Sequence, residues 1–226
     1  MTTALQAEWI KLRTLGATWW TIAGAIAVAV GASAAMAATT HVSPGAPGGG
    51  PDPTKLALTG IDLGQAVIAI MAVVAISDEY GTGMIRVTLA AIPRRSLMLG
   101  AKAIMLAGLT LVAAVPAVAG CLIAGRLLLP GAGLDPAHGY SLVSIAHGAT
   151  LRAAAGGVLY LVLIALLSLG IATIVRDTAV ATGVVLALLY LPPLLALLVP
   201  GPWGRHIEQI APMTAGLAVE ATRHLR

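Results

Sequence analysis

Five stretches of this chain are each about as long and as apolar as one crossing of a lipid bilayer, and no other feature limits its fold so strongly. They cover residues 19–38, 60–77, 103–124, 153–175 and 179–199. A helix needs about 20 consecutive apolar residues to span the hydrocarbon core. Helices or closed barrels are the only spanning solutions, because lipid offers backbone N–H and C=O groups no partner. Runs this long and unbroken select helices. Only 10% of residues are charged and 58% are hydrophobic, against roughly 25% and 45–50% in soluble domains. Too little polar surface remains to cover a water-soluble globule. The expected fold is therefore all-α: a polytopic helical membrane protein in which residues 1–226 form a single transmembrane domain.

The segments between the runs complete that outline. Leu5, Trp9, Leu12 and Trp19 or Trp20 are spaced for an N-terminal helix lying in the interface, with Lys11 and Arg13 reaching toward headgroups. The late start of the first run argues against a cleaved signal peptide. Residues 39–59, rich in Gly and Pro, read as an aqueous outer loop, and 125–152 as a second one. Pro116 falls inside the third run and predicts a bend. After the fifth run, Ile207, Ile210, Met213 (or Thr214) and Leu217 suit an amphipathic tail over 203–226, interrupted at Pro212. Lys11, Arg13, Arg86, Arg94, Arg95, Lys102 and Arg176 share one side in this scheme, against Lys55, Arg126 and Arg152 between spans on the other. The positive-inside rule then sets the N-terminus of this multi-pass protein in the cytoplasm. Arginine outnumbers lysine ten to three and Ala, Gly and Val abound, which fits a high-GC bacterial genome and so a bacterial cytoplasmic membrane. The net charge of +4 is dispersed between apolar runs, so no nucleic-acid partner is expected and membrane lipid is.

One segment departs from this sparseness. SDEYGTGMIRVTLAAIPRRSLMLGAK, residues 77–102, holds Asp78, Glu79, Arg86, Arg94, Arg95 and Lys102. It forms the loop, 78–102, between spans two and three on the predicted cytoplasmic side. Gly81-Thr82-Gly83 breaks the preceding span. Ile85, Leu89 and Ile92 then share one face of a short helix that Pro93 ends. Such a helix has too little area to fold alone and needs a groove, supplied by the bilayer surface or by a partner protein.

The order Glu79, Gly81-Thr82, short helix, Pro93-Arg94-Arg95, then Gly100 and Lys102 opening a span resembles the first cytoplasmic loop of ABC-2-type transporter permeases. The entry EWIKLRTLGATWW also looks like the start of their actinobacterial members. The resemblance implies an exporter's permease subunit, paired with a second permease copy or a paralogue. A separate ATPase subunit dimer would bind ATP and Mg, leaving this chain without a cofactor of its own. The loop would be a coupling helix docking on that ATPase, with Glu79, Gly81, Thr82, Arg86, Pro93, Arg94 and Arg95 as the coupling residues. Such permeases typically carry six spans, and five are legible here.

The chain's own motifs agree with a non-enzymatic role. G-x-x-x-x-G-K-[ST] is absent from the sequence, so no phosphate-cradling loop of that kind is encoded. H-E-x-x-H and G-x-S-x-G are absent too, and the five histidines lack ligand spacing, so no metal or catalytic site is expected. Cys121, the sole cysteine, reads as core packing. Asp62, an acid near the outer end of span two, is a candidate pathway residue, since ionisable groups at membrane depth often mark pathways, the alternative being a side chain that snorkels to water at the nearby interface. Small residues at Ala25, Ala29, Ser33 and Ala37, and at Gly156-Gly157, permit close helix approach. The alternative to a permease is a non-transporting structural or assembly module, in which the charges of 78–102 only set topology.

Overall fold

In the computed structural model, which describes residues 16–40, 52–84, 95–134, 148–198 and 212–217, the apolar runs fold as helices. These are α1 (Gly16–Thr39), α2 (Pro53–Leu58), α3 (Ile61–Gly81), α4 (Arg95–Leu128), α5 (Gly148–Val175), α6 (Thr178–Leu198) and α7 (Pro212–Leu217). A single 3₁₀ turn, Leu129–Ala132, closes α4. Among the described residues, five helical segments are long and apolar enough to cross a membrane.

Side chains exposed on these helices are themselves apolar. Trp20 and Ile174 are each 80% exposed, and Leu159, Val180 and Leu194 are exposed as well. In water that would be a heavy cost, whereas a bilayer accepts apolar side chains at such positions. The buried side is built from small and branched residues, among them Ala25, Ala29, Ala72, Ala114, Ala165 and Ala172 with Ile68, Val73, Leu161 and Val185.

Packing orders the helices as a ring, α1 against α4, α4 against α5, α5 against α3 and α3 back against α1. Helix α6 lies against α3 and α5, and α7 rests on the same α5–α6 pair. Glycine sets two of the closest approaches. A Cβ on Gly60 would lie 1.9 Å from the carbonyl oxygen of Ala29, and one on Gly125 2.3 Å from the Cβ of Ala57. Ser33 Oγ donates to the carbonyl of Ala57 beside the first of these, tying α1 to α2.

Helix boundaries differ from the expected ones in an informative way. The second span does not stop at residue 77 but runs on to Gly81, and the third begins at Arg95 rather than 103 and ends at Leu128 rather than 124. At 34 residues α4 is about 50 Å long, well beyond a hydrocarbon core of about 30 Å. The apolar count missed these turns because hydropathy marks where lipid begins, not where the hydrogen-bond ladder ends. The outer loop 39–59 also contains helix: α2 starts at Pro53 behind Asp52, whose side chain accepts from the Thr54 amide at 3.0 Å. Asp followed by Pro is a helix-start signal that the Gly- and Pro-rich surroundings concealed. Helix α5 starts at Gly148, five residues before the expected 153, shortening the loop 125–152. Pro212 opens α7 and Leu217 is buried, while residues 203–211 of the expected tail lie outside the described residues. The interfacial N-terminal helix expected before residue 16 lies outside the described residues, as do the rest of the tail and the 39–59 loop between 41 and 51.

Candidate functional site

Among the described residues, a polar cluster sits at each end of α3. At its C-terminal end the chain closes the helix locally. Thr82 caps α3, its amide and its Oγ1 both donating to the carbonyl of Asp78, at 3.0 and 2.6 Å. Gly83 follows at φ 71°, the left-handed conformation that glycine adopts without strain, and its amide donates to the carbonyl of Tyr80 at 3.2 Å. The Gly81-Thr82-Gly83 triplet is thus a helix stop, with all three residues exposed.

The acids just before it differ from one another. Asp78 is exposed, but Glu79 is buried. Its Oε1 accepts from Lys102 Nζ at 2.8 Å, and the same ammonium donates to the carbonyl of Ala75 at 3.1 Å. Glu79 is 3% exposed and Lys102 4%, so the ion pair is sealed between α3 and α4. Both residues of the expected 78–102 loop therefore belong to helices, because α3 runs on to Gly81 and α4 begins at Arg95. The helices extend to meet, and an unpaired charge at such a depth would carry a heavy desolvation cost. Beside the pair, the Arg176 guanidinium stands 5.8 Å from the centroid of the Tyr80 ring. Arg176 occupies a two-residue link at φ 61°, and Asp177 Oδ1 accepts the Val180 amide at 2.8 Å to start α6.

Of the coupling residues expected from the sequence, Glu79, Gly81 and Thr82 thus converge on the end of α3. Arg95 is the first residue of α4. Arg86, Pro93 and Arg94 lie outside the described residues, as does the face Ile85, Leu89 and Ile92.

The other end of α3 carries a second cluster. Asp62 is partly buried there, and its backbone carbonyl accepts from Gln65 Nε2 at 3.1 Å and from the Tyr190 hydroxyl. The Tyr160 hydroxyl donates to Gln65 Oε1. Gln65 is fully buried and Tyr160 nearly so. One amide side chain thereby joins α3 to α5, and Tyr190 adds α6. The sequence reading named Asp62 as a pathway candidate and Lys102 only within the charged segment and its motif, and it did not name Gln65, Tyr160 or Tyr190. A signal was present, since a Gln in the middle of an apolar run and tyrosines inside spans need buried partners.

Among known protein families, the one described as ABC-2 family transporter protein matches residues 4–193. The chain belongs to that family. It is the membrane subunit of an ABC transporter, a multi-pass helical permease. Neither curated proteins nor solved structures show a match to the permease. The matched stretch takes in all but the last few residues of the fifth crossing, and it contains both polar clusters of α3.

Proposed function

We propose that this permease couples ATP hydrolysis by a separate ATPase subunit dimer to export across the bacterial cytoplasmic membrane. In this reading the Glu79 end of α3 faces the cytoplasm, with the N-terminus on the same side. ATP and Mg belong to the ATPase subunits, and a second permease copy or a paralogue completes the membrane part. The segment between α3 and α4 is the docking element. Gly81 and Thr82 end the helix that leads into it, Arg86 and Pro93 lie within it, and Arg94 and Arg95 lead out of it. Asp62, at the opposite end of α3, is the candidate pathway residue.

The observation that carries this reading is the continuity of α3 and α4 up to that segment. A motion imposed at residues 82–94 enters two crossings directly, one of them 34 residues long. Rigid helices of that length convert a small displacement at one face into rocking at the other, which is the motion alternating access needs.

The test is co-purification. The chain is co-expressed with the ABC ATPase of the same genome and extracted in mild detergent, as wild type, Arg86→Glu and Arg94→Glu/Arg95→Glu. Retention by wild type and loss by the charge-reversed forms is the expected result. An ATPase retained by none of them removes the reading and leaves a non-transporting membrane module.

A further inference from the structure

Helices α3 and α4 are consecutive, yet they touch each other far less than either touches α1 or α5. Where they do meet, Lys102 grips α3 at two points, the carboxylate of Glu79 and the carbonyl of Ala75. Those two residues are four apart on one helix face, so the ammonium fixes both the rotation and the axial position of α3 against α4. Lys102 also sits as a cation on the last turns of α3, where the helix dipole is negative.

From this geometry we infer that Lys102 is a positioning residue of the coupling element, locking α3 and α4 into one unit so that a push on the segment between them moves both together. The inference rests on the coupling function proposed above and gives Glu79 a different part in it. With its side chain buried against Lys102, Glu79 acts inward on α4 and does not itself contact an ATPase. A lysine that only set topology would reach headgroups or water. Lys102 instead gives up its hydration, and closure of the pair offsets part of that cost. Parting the two helix ends would break an ion pair held in a desolvated site, and this resists their independent movement. Buried ion pairs add little net stability compared with apolar residues of similar volume, so register between the helices is the property that this one supplies.

The experiment places spin labels at Asp78→Cys and Leu99→Cys, exposed positions on α3 and α4 outside the coupling set. Distances are read by electron paramagnetic resonance in the reconstituted permease alone, with the ATPase, and with ATP and vanadate. In the otherwise wild-type protein one narrow distance persists through all states. Lys102→Met broadens it and makes it shift with nucleotide, while Lys102→Arg, which keeps both donors, restores the narrow form. If Lys102→Met alone misfolds, Glu79→Gln/Lys102→Met removes both charges together and serves in its place, with the same broadening expected.

A narrow, nucleotide-independent distance in the Met-bearing variants overturns the role of Lys102 even if the ATPase still binds. A distance that already shifts in the wild-type background overturns it as well. Failure of the wild-type chain to retain the ATPase overturns the coupling function, and this role with it.

Discussion

Gly60 lies against Ala29 so closely that a Cβ at position 60 would stand 1.9 Å from the Ala29 carbonyl oxygen and 2.9 Å from the Ser33 amide nitrogen. Both obstacles are backbone, so neither can swing aside. Gly60→Ala must push α3 away from α1, disturbing the adjacent Ser33–Ala57 bond, and should cost about 1–3 kcal/mol, the usual range for overpacking. Gly31→Ala, where a Cβ would meet nothing within 4 Å, should leave stability unchanged or slightly raised. Thermal unfolding in detergent compares the two, and equal melting points would contradict the packing described.

The amide of Gln65 makes a second prediction. Tyr160→Phe strands its buried Oε1 and should destabilise by about 1 kcal/mol, between the usual cost of an unsatisfied acceptor and the smaller values found inside membranes. Gln65→Leu/Tyr160→Phe should cost less than the sum of the two single changes, because the second change no longer leaves a polar atom alone. A double-mutant cycle on thermal stability measures that coupling. Strict additivity would mean that the two side chains do not act together.

Arg176 occupies the left-handed region, where a non-glycine residue carries about 1–2 kcal/mol of strain. Arg176→Gly releases the strain but gives up the contact with the Tyr80 ring, worth about 0.5–1 kcal/mol at an exposed site. The released strain exceeds the lost contact, but glycine's greater entropy loss on folding, about 0.5–1 kcal/mol, offsets the difference, so little change in melting temperature is expected. Arg176→Val loses the ring contact and adds a β-branched side chain at positive φ, and should be clearly less stable. Reversal of that order would show the link to be relaxed.

Membrane orientation has its own measurement. Cys121 is fully buried, so the native thiol should stay silent toward a membrane-impermeant maleimide. Lys55→Cys on α2 should react in intact cells and Asp78→Cys should not, with the pattern inverted in inside-out vesicles. The opposite labelling would place the Glu79 end outside and remove the cytoplasmic docking surface.

Most of the architecture was legible in the residues. Runs of apolar side chains about 20 long dictate crossings whatever their neighbours do, because the bilayer acts on each segment separately. Five such runs became five candidate crossings, and the stop at Gly81-Thr82-Gly83 was equally local, since a glycine at positive φ and a Thr side chain satisfy helix carbonyls within one turn. The family resemblance was readable for a similar reason, being carried by short spacings along one segment.

What the sequence could not decide was the environment of each polar group. Asp78 and Glu79 are neighbours, and nothing local says that one faces outward while the other is buried against a lysine 23 positions away. The same holds for Gln65, whose partner Tyr160 is 95 residues distant. A charge or amide in an apolar chain announces that it needs a partner. Only the packing of the helices decides which partner, because desolvation and pairing depend on distance in space and not on separation along the chain.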